Sequence, residues 1–251
     1  MKMRLLLVLT MSLTIAAPFT AAIALPSFVA LAVADKNRPA DDRSQDVHRK
    51  PVEVMGFAGV KPGDTVVDLM PGSGYYTRIL SKIVGPHGKV YALQPTEMDK
   101  VAPKGLQSLR SFAGAPPYAN VVVLAQPVSA MAIPEPVDLI FTSQNYHDLH
   151  DPFMGSPDIA RLDRTLFDAL KPGGVLIVLD HAAAAGSGVS HTDDLHRIDP
   201  APVKAELTAA GFRFDSESDA LRNPSDDHTL GIRDPSIRGN TDRFIFKFRK
   251  P

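Results

Sequence analysis

The sequence of 251 residues contains no cysteine. A disulfide framework, a thiolate zinc site and a cysteine nucleophile are therefore excluded. An excess of charge of either sign is also missing, because 27 lysines and arginines stand against 28 aspartates and glutamates. General nucleic-acid binders are normally basic, so this balance argues against a nucleic-acid partner.

Charged residues are absent between Leu5 and Ala34, after a short basic start. Residues 22–24 (AIA) and 32–34 (AVA) both fit the small-x-small pattern that signal peptidase recognises. We interpret residues 1–34 as a signal peptide cleaved after Ala34, which predicts a periplasmic or secreted protein. The alternative is an uncleaved membrane anchor, since the run is long enough to span a bilayer. No later segment is long and apolar enough to cross a membrane, so no stable insertion is expected after cleavage.

Residues 35–46 are polar and predict a flexible lead-in, and residues 47–251 predict a single domain of alternating helices and strands. Strands separated by helices indicate parallel crossovers and a sheet covered on both faces. No helix separates the last two strands, so the final one is expected to be antiparallel, at or near an edge. The predicted fold is a three-layer α/β domain with a seven-stranded, mostly parallel, Rossmann-like sheet. Its strands are TVVDLM, KVYALQP, NVVVLAQP, VDLIFTSQ, VLIVLD, FRFDSESD and RFIFKFRK.

A glycine-rich turn, PGSG at residues 71–74, follows the first strand and leads into a helix. Glycine lets the backbone approach a ligand closely, and the start of a helix presents free N–H groups. In open α/β sheets the ligand crevice lies beyond the carboxyl ends of the strands. Asp68, at the end of the first strand, is therefore expected beneath a bound cofactor.

Five blocks in order over residues 60–215 resemble class I methyltransferases that depend on S-adenosylmethionine (SAM): DLMPGSGYYT, GKVYALQP, VDLIFTSQNYHDL, LKPGGVLIVLD and AELTAAGF. More narrowly, PGSGYYT, LHRIDP, NPSDDHT and GNTDRFIFKFRKP resemble predicted exported methyltransferases. The resemblance implies SAM as cofactor and methyl transfer to a small-molecule acceptor in the cell envelope. It implies cofactor contacts from Asp68, Gly72, Ser73, Gly74, Tyr75, Gln94, Gln126 and Gln144. An NAD-dependent Rossmann enzyme fits less well, because no third glycine follows in the usual place and position 94 is not acidic.

Three positions depart from the pattern of this family. Met70 replaces the first glycine of the loop, and Pro71 beside it has no N–H to donate. Gln94 replaces the acidic residue that usually ends the second strand, so it can bond a ribose hydroxyl only without charge assistance. Gln126 stands where an aspartate often contacts the adenine. These changes leave the fold intact and remove charged contacts to the cofactor.

Histidines and acids follow the fourth and fifth strands, which are adjacent in the topology that the resemblance implies. His147 and Asp148 come after the fourth strand, and Asp180 and His181 close the fifth. Methyl transfer to an O–H or N–H nucleophile needs a base, and histidine titrates near neutral pH. We predict that His147 or His181 is this base and that Asp180 or Asp148 orients it. The alternative is that such histidines cap strand ends and bond backbone carbonyls.

Two further segments are expected to complete the pocket. GSGVSHTDDLHRID continues from the fifth strand, and a connection of about twenty residues joins the last two strands; loops of that length are usually functional or disordered. We interpret the second as a substrate lid. The predicted substrate contacts are Tyr146, His196, Arg197, Asn223, Asp227 and His228.

Two other functions compete with methyl transfer. Five of the eight histidines fall between positions 147 and 196, which raises a metal-dependent hydrolase, but the spacing of an HExxH motif is missing and we assign no metal ligands. A non-catalytic ligand-binding protein on the same fold is the stronger alternative, because fold does not determine function. It is favoured by the altered loop and by export, since SAM is made in the cytoplasm. The sequence does not specify an oligomeric state.

Overall fold

The computed structural model describes residues 27–251, and a seven-stranded sheet forms its centre. The strands are β1 (Thr65–Leu69), β2 (Lys89–Pro95), β3 (Val121–Gln126), β4 (Val137–Ser143), β5 (Leu170–His181), β6 (Arg213–Ser218) and β7 (Arg243–Arg249). Their spatial order is β3-β2-β1-β4-β5-β7-β6. β7 pairs antiparallel with β5 and β6, and all the other pairs are parallel. The predicted three-layer fold with an antiparallel last strand is confirmed.

Helices cover both faces of this sheet. They are α1 (Ser27–Val33), α2 (Ala40–Ser44), α3 (Asp46–Arg49), α4 (Pro51–Ala58), α5 (Tyr75–Val84), α6 (Lys104–Phe112), α7 (Ile159–Ala169) and α8 (Pro200–Ala209). Apolar side chains of α1, α4, α5 and α6 form one core with the sheet, and those of α7 and α8 form another on the opposite face. Strands buried on both faces need apolar residues at nearly every position, which explains why β1 and β2 have almost no alternation.

Residues 35–46, predicted from the sequence as a flexible lead-in, include α2 and make several contacts with the domain. Arg38, only 1 % exposed, donates hydrogen bonds of 2.9 and 2.6 Å to the carboxylate of Asp46 and one of 2.5 Å to the carbonyl of Val33. Asp42 pairs with Arg78 of α5 at 3.0 Å. A buried charge is tolerated only when it is paired, so these contacts hold the segment against the domain. Ion pairs of this kind leave no apolar pattern in the sequence, so the sequence could not indicate these contacts.

The predicted signal peptide, residues 1–34, lies mostly outside the described residues. Its last part forms α1, and Val29 and Ala32 are buried against α4 and α5. Cleavage after Ala34 would therefore remove a packed helix, whereas cleavage after Ala24 would leave that helix in place. No helix within residues 27–251 has the length and apolar character needed to cross a bilayer.

Two long connections cross the edge at which the parallel strands end. Residues 182–199 follow β5, and residues 219–242 join β6 to β7. Arg197 of the first connection is fully buried and joins the two, with a 2.9 Å ion pair to Asp226 and a 2.9 Å hydrogen bond to the carbonyl of Leu230. The predicted lid is thus an ordered loop, the β6–β7 loop, fastened to the connection that follows β5.

Candidate active site at the carboxyl edge of the sheet

A cavity of about 170 Å³ lies at the carboxyl ends of β1, β4 and β5. Residues 70–73 of the glycine-rich turn and residues 143–145 after β4 line it, together with His181 at the end of β5. Arg49 at the end of α3 and Ile232 of the β6–β7 loop also line it. The cavity is therefore at the crevice that open α/β sheets use for ligands.

The glycine-rich turn uses its glycines for two different purposes. Gly72 has φ 58° and a Cβ there would meet nothing within 4 Å, so its glycine serves the backbone conformation. A Cβ on Gly74 would lie 2.7 Å from the ring of Phe112, so this glycine permits close packing of α6. Gly72, Ser73 and Tyr75 line the cavity as predicted cofactor residues should, and Gly74 does not.

Met70 occupies a left-handed backbone position, with φ 54°. This conformation favours glycine and costs a side-chain residue about 1 kcal/mol, which accounts for the glycine that the family pattern has there. The Met70 side chain is 1 % exposed and belongs to the same core as Leu93 and Met98. It also lines the cavity.

Asp68 lines the cavity from the end of β1 and is 2 % exposed. Its carboxylate accepts a 2.6 Å hydrogen bond from the hydroxyl of Thr77 in α5. Burial raises the pKa of Asp68 to about 7, against the opposing effect of the Thr77 hydrogen bond. The carboxyl of Asp68 therefore changes its protonation state near neutral pH.

The three glutamines predicted to contact the cofactor differ in what holds them. Gln94 is fully buried, does not line the cavity, and neither its Oε1 nor its Nε2 has a hydrogen-bond partner within the described part of the chain. Gln144 lines the cavity, and its buried Nε2 is also without a partner there. Gln126 bonds the backbone of Ala132 at 2.7 and 3.2 Å, so it closes a turn. Buried polar groups are normally hydrogen-bonded, so Gln94 and Gln144 mark positions that suit a polar ligand.

His181 and His147 lie beside one another, with ring centroids 6.2 Å apart. Only His181 lines the cavity, and its Nδ1 is 2.7 Å from the hydroxyl of Thr241. The Nδ1 of His147 is 2.8 Å from the carboxylate of Asp180, which also accepts a 2.8 Å hydrogen bond from the His147 backbone N–H. Asp180 therefore orients the ring of His147, whereas Thr241 is the hydrogen-bond partner of the His181 ring.

Opposite electrostatic environments surround the two imidazoles. Burial lowers the pKa of His181 well below its usual value, and the nearby His147 and Arg243 act in the same direction. Burial also lowers the pKa of His147, but the charge and hydrogen bond of Asp180 outweigh it and raise the pKa to about 9. Burial raises the pKa of Asp148 to about 6, opposed by His147. A neutral imidazole thus faces the cavity, with a charged His147–Asp180 pair behind it.

None of the six residues predicted to contact the substrate lines this cavity. Tyr146 is fully buried, with its hydroxyl 2.9 Å from Glu206 and 3.1 Å from Asp163, so it faces the α7–α8 layer. Arg197 is buried against Asp226. His196 contacts the ring of His147, at 5.6 Å between centroids.

The remaining three, in the β6–β7 loop, hold that loop together. The backbone N–H of Asn223 donates to Asp242 at 2.8 Å, and Nε2 of His228 is 3.2 Å from the same carboxylate. Asp227 accepts from the hydroxyl of Thr229 at 2.7 Å. These three residues form hydrogen bonds within the loop. In the sequence, a polar residue with this structural role looks the same as one that contacts a substrate.

Sequence reasoning missed the contribution of the segment before α4. The hydroxyl of Tyr75 donates to Asp46 at 2.6 Å, and the guanidinium of Arg49 lies over the Tyr75 ring at 4.5 Å. Tyr76 donates to the carbonyl of Arg49 at 3.2 Å. Both tyrosines line the cavity, so the short α3 forms part of its wall. No spacing in the sequence distinguishes these residues from a solvated polar stretch.

Comparison with known proteins gives weak sequence similarity and a clear fold. No family model matches the sequence. The ubiquinone/menaquinone biosynthesis C-methyltransferase UbiE of Pseudomonas paraeruginosa is 28 % identical over 186 residues, which cover 69 % of this chain and 64 % of that protein. The chain therefore spans less than two thirds of the length of this curated relative.

Solved structures resemble the chain over most of its length. A SAM-dependent methyltransferase from Aquifex aeolicus aligns over 86 % of this chain and 100 % of that chain, with a TM-score of 0.57 and 22 % identity. The chain has the class I methyltransferase fold. The [4+2]-cyclase SpnF aligns over 87 % of this chain and 85 % of that chain, with a TM-score of 0.55 and 19 % identity. Because the methyltransferase fold hosts a protein named for a cyclisation, the function has to be argued from the site.

Proposed function

We propose that the protein binds SAM in the cavity and transfers the methyl group to a small-molecule acceptor. The observation that carries the proposal is the juxtaposition of the glycine-rich turn, residues 70–73, with His181 across one cavity. The turn offers backbone N–H groups at the start of α5, and His181 offers a base. The sequence similarity to the C-methyltransferase UbiE, which does not rest on the geometry of the cavity, agrees with this class of reaction.

The residues present fit the polar groups of SAM. The unpartnered amides of Gln94 and Gln144 suit hydroxyl and amino groups of an adenosyl ligand, and Gly72 and Ser73 border the cavity with backbone. SAM supplies an electrophilic methyl group on a sulfonium. Gln94 does not line the cavity, so contact between a ligand in the cavity and Gln94 requires a rearrangement of the cavity wall.

His181 would accept the proton of the acceptor. Its Nδ1 is engaged by Thr241, so Nε2 is the nitrogen available to a ligand in the cavity. General base catalysis needs the base within hydrogen-bonding reach of the proton that it removes. Of the two histidines predicted as base, His181 is thus preferred, because His147 lies behind it and is held by Asp180.

A calorimetric titration of the full chain with SAM and with S-adenosylhomocysteine tests the proposal. We expect one binding site for each, with the product at least as tight as SAM and both tighter than adenosine. Absence of heat at millimolar ligand would contradict SAM binding. Transfer of a labelled methyl group from SAM to small molecules of a cell-envelope extract then tests the reaction.

Ligand binding without chemistry is the second candidate, and one observation favours it. The cavity, about 170 Å³ and lined in part by Met70, is smaller than the roughly 300 Å³ or more of most ligand pockets. Binding of S-adenosylhomocysteine without methyl transfer to any acceptor of the extract would favour this function.

We also propose that the protein works in the periplasm or outside the cell, on the basis of the uncharged stretch that ends near Ala34. Fractionation of cells that express the full chain tests this location. Recovery of the protein only with cytoplasmic markers would contradict it.

A further inference from the structure

Three side chains beside the cavity converge on one point. His147, Asp148 and His196 each offer a ligand atom, and the three atoms lie within 4.8 Å of one another. Nε2 of His147 is 3.4 Å from Oδ1 of Asp148, and the rings of His147 and His196 are 5.6 Å apart. The contact between His147 and His181 joins this group, the His147 cluster, to the wall of the cavity.

Asp180 decides which nitrogen of His147 faces the cluster. Its carboxylate binds Nδ1 at 2.8 Å, and an ionised carboxylate can only accept a hydrogen bond. Nδ1 therefore carries the hydrogen, and Nε2 presents its lone pair on the side of Asp148 when the ring is neutral. A carboxylate that holds the second nitrogen in this way is the usual support of a histidine that binds a metal.

Asp151 provides an independent observation. It is 1 % exposed, and neither carboxylate oxygen has a hydrogen-bond partner within residues 27–251. The neighbouring hydroxyl of Thr192 lowers the pKa of Asp151 against the effect of burial, but its hydrogen bond of good geometry, at 3.2 Å, goes to the carbonyl of Val189. The backbone N–H of Asp151 donates to the carbonyl of Asp148 at 3.1 Å, and the charge of Asp151 acts on His147, Asp148 and His196, so Asp151 lies beside the cluster. A buried carboxylate without a partner is costly, and a cation in the cluster would satisfy it.

The charges around the cluster favour a divalent cation. Asp148, Asp151 and Asp180 bring three carboxylates to two imidazoles, Asp193 adds a fourth acid near His196, and Arg233 of the β6–β7 loop is a nearby positive side chain. The acids outnumber the fixed positive charge, so a doubly charged ion could take the place of the second proton on His147 at Nε2. The ordered loop thus contributes a charge that complements the site.

His196 reaches the cluster through a strained backbone. Its φ of 53° is in the left-handed region, which costs a residue with a side chain about 1 kcal/mol. Strain of this kind is concentrated at functional sites. Here it turns the imidazole of a loop residue toward His147, in agreement with a role as ligand.

We infer that His147, Asp148 and His196, with Asp151 beside them, bind one divalent transition-metal ion of the zinc type. Two imidazoles with carboxylates are donors that suit Zn²⁺, whereas Mg²⁺ and Ca²⁺ prefer oxygen ligands alone. The ion would lie behind the wall of the cavity, where the contact between His147 and His181 connects it to the proposed base. The site goes beyond the proposed methyl transfer and does not depend on SAM binding.

Equilibrium dialysis of the full chain against zinc, with the metal counted by mass spectrometry, tests the site. We expect one zinc per chain and a rise in melting temperature that a chelator reverses, since a ligand of the native state stabilises it. His196→Asn should weaken zinc binding by about 100-fold or more, since it removes one of the few ligands. His191→Asn is the matched control, because this histidine of the same connection is 40 % exposed and pairs with Asp194, and it should keep the wild-type affinity.

A second variant separates metal binding from folding. Asp180→Asn keeps the size of the side chain and should lower zinc affinity by about 10–100-fold through loss of its support of His147. Cobalt in place of zinc gives visible bands that report the ligand set, and His196→Asn should change them in a chain whose circular dichroism is unchanged. Less than one zinc per chain at micromolar free metal, or equal affinities of wild type and His196→Asn, would overturn the site. Equal loss in His196→Asn and His191→Asn would mean surface binding and would overturn it too. Titration with S-adenosylhomocysteine in the same samples keeps a failure of this site distinct from a failure of SAM binding.

Discussion

Asp180 binds the ring of His147, 33 positions earlier in the chain, at 2.8 Å, and not the ring of its own neighbour His181. Successive side chains of a strand point to opposite faces, so these two neighbours at the end of β5 cannot share a ring contact. The two histidines are thereby separated in role: His181 faces the cavity, and His147 faces the cluster with Asp148 and His196.

Replacement of the proposed base should affect turnover and not cofactor binding. His181→Asn keeps a hydrogen-bonding side chain near Thr241, and we expect the rate of methyl transfer to fall by about 10²–10⁴-fold, the usual contribution of a general base. Affinity for S-adenosylhomocysteine, measured by calorimetry, should change little. A variant with wild-type turnover would show that another group takes the proton.

Removal of the Met70 side chain should enlarge the cavity, because this side chain lines it. We expect Met70→Gly to bind S-adenosylhomocysteine about tenfold more tightly, the gain that one further hydrogen bond of the ligand would give. The free energy of unfolding should fall by roughly 1–3 kcal/mol, since loss of a buried side chain outweighs the relief of the left-handed strain. Met70→Leu keeps the volume and serves as control. Weaker binding in Met70→Gly than in Met70→Leu would contradict a blocking role.

Asp68 should make the protein less stable as pH rises toward neutrality. Its pKa is about 7 in the folded protein against an ordinary value of 3.8, so the folded state holds the proton more tightly. The resulting stability is present below pH 3.8 and is lost as pH rises through about 7. Asp68→Asn has no carboxyl to titrate and does not lose this stability. The free energy of unfolding of the variant minus that of wild type should therefore rise by at most roughly 4 kcal/mol between acid and pH 8.

Denaturant unfolding at several pH values measures that difference. Burial raises the pKa of Asp163 to about 7 as well. The free energy of unfolding of Asp163→Asn relative to wild type should therefore also rise with pH, and the double variant should show a larger rise than either single variant. A difference between Asp68→Asn and wild type that does not change with pH would contradict the prediction.

The segment before α4 should contribute to stability through Asp46. This carboxylate holds the buried guanidinium of Arg38 and the hydroxyl of Tyr75. Asp46→Asn leaves a buried charge without its partner, and we expect the free energy of unfolding to fall by roughly 3–5 kcal/mol. Asp41→Asn, at an exposed position of α2, is the control and should change it by less than about 0.5 kcal/mol. Equal effects of both variants would mean that the segment is not fixed as described.

Processing of the chain can be tested against the packing of α1. Val29 and Ala32 are buried in the domain, so a chain that starts at Asp35 should be less stable than one that starts at Leu25 by roughly 2–4 kcal/mol. We therefore expect cleavage after Ala24 in place of Ala34. Intact-mass measurement of the exported protein decides between the two sites, and a mature start at Asp35 would contradict this expectation.

Part of the site could be predicted from local patterns. The turn at residues 71–74 is a local glycine pattern. The placement of His147 and His181 at the ends of neighbouring strands required the strand order, which the resemblance of successive sequence blocks to the methyltransferase family implied. The partners of Tyr146 could not be predicted in this way. Its hydroxyl meets Asp163 and Glu206 from two helices, and the position after a strand end does not say which face a side chain takes.

By itself, the sequence determined the alternation of helices and strands, the seven-stranded sheet and the glycine-rich turn at the end of β1. These features depend on periodicity and on backbone preferences that neighbouring residues express. Only the tertiary structure decided that residues 35–46 are folded, that Arg49 borders the cavity, and that His196 joins His147 and Asp148. Those contacts arise between charged and polar side chains far apart in the chain, and such pairs leave no periodic signal because geometry alone selects the partner.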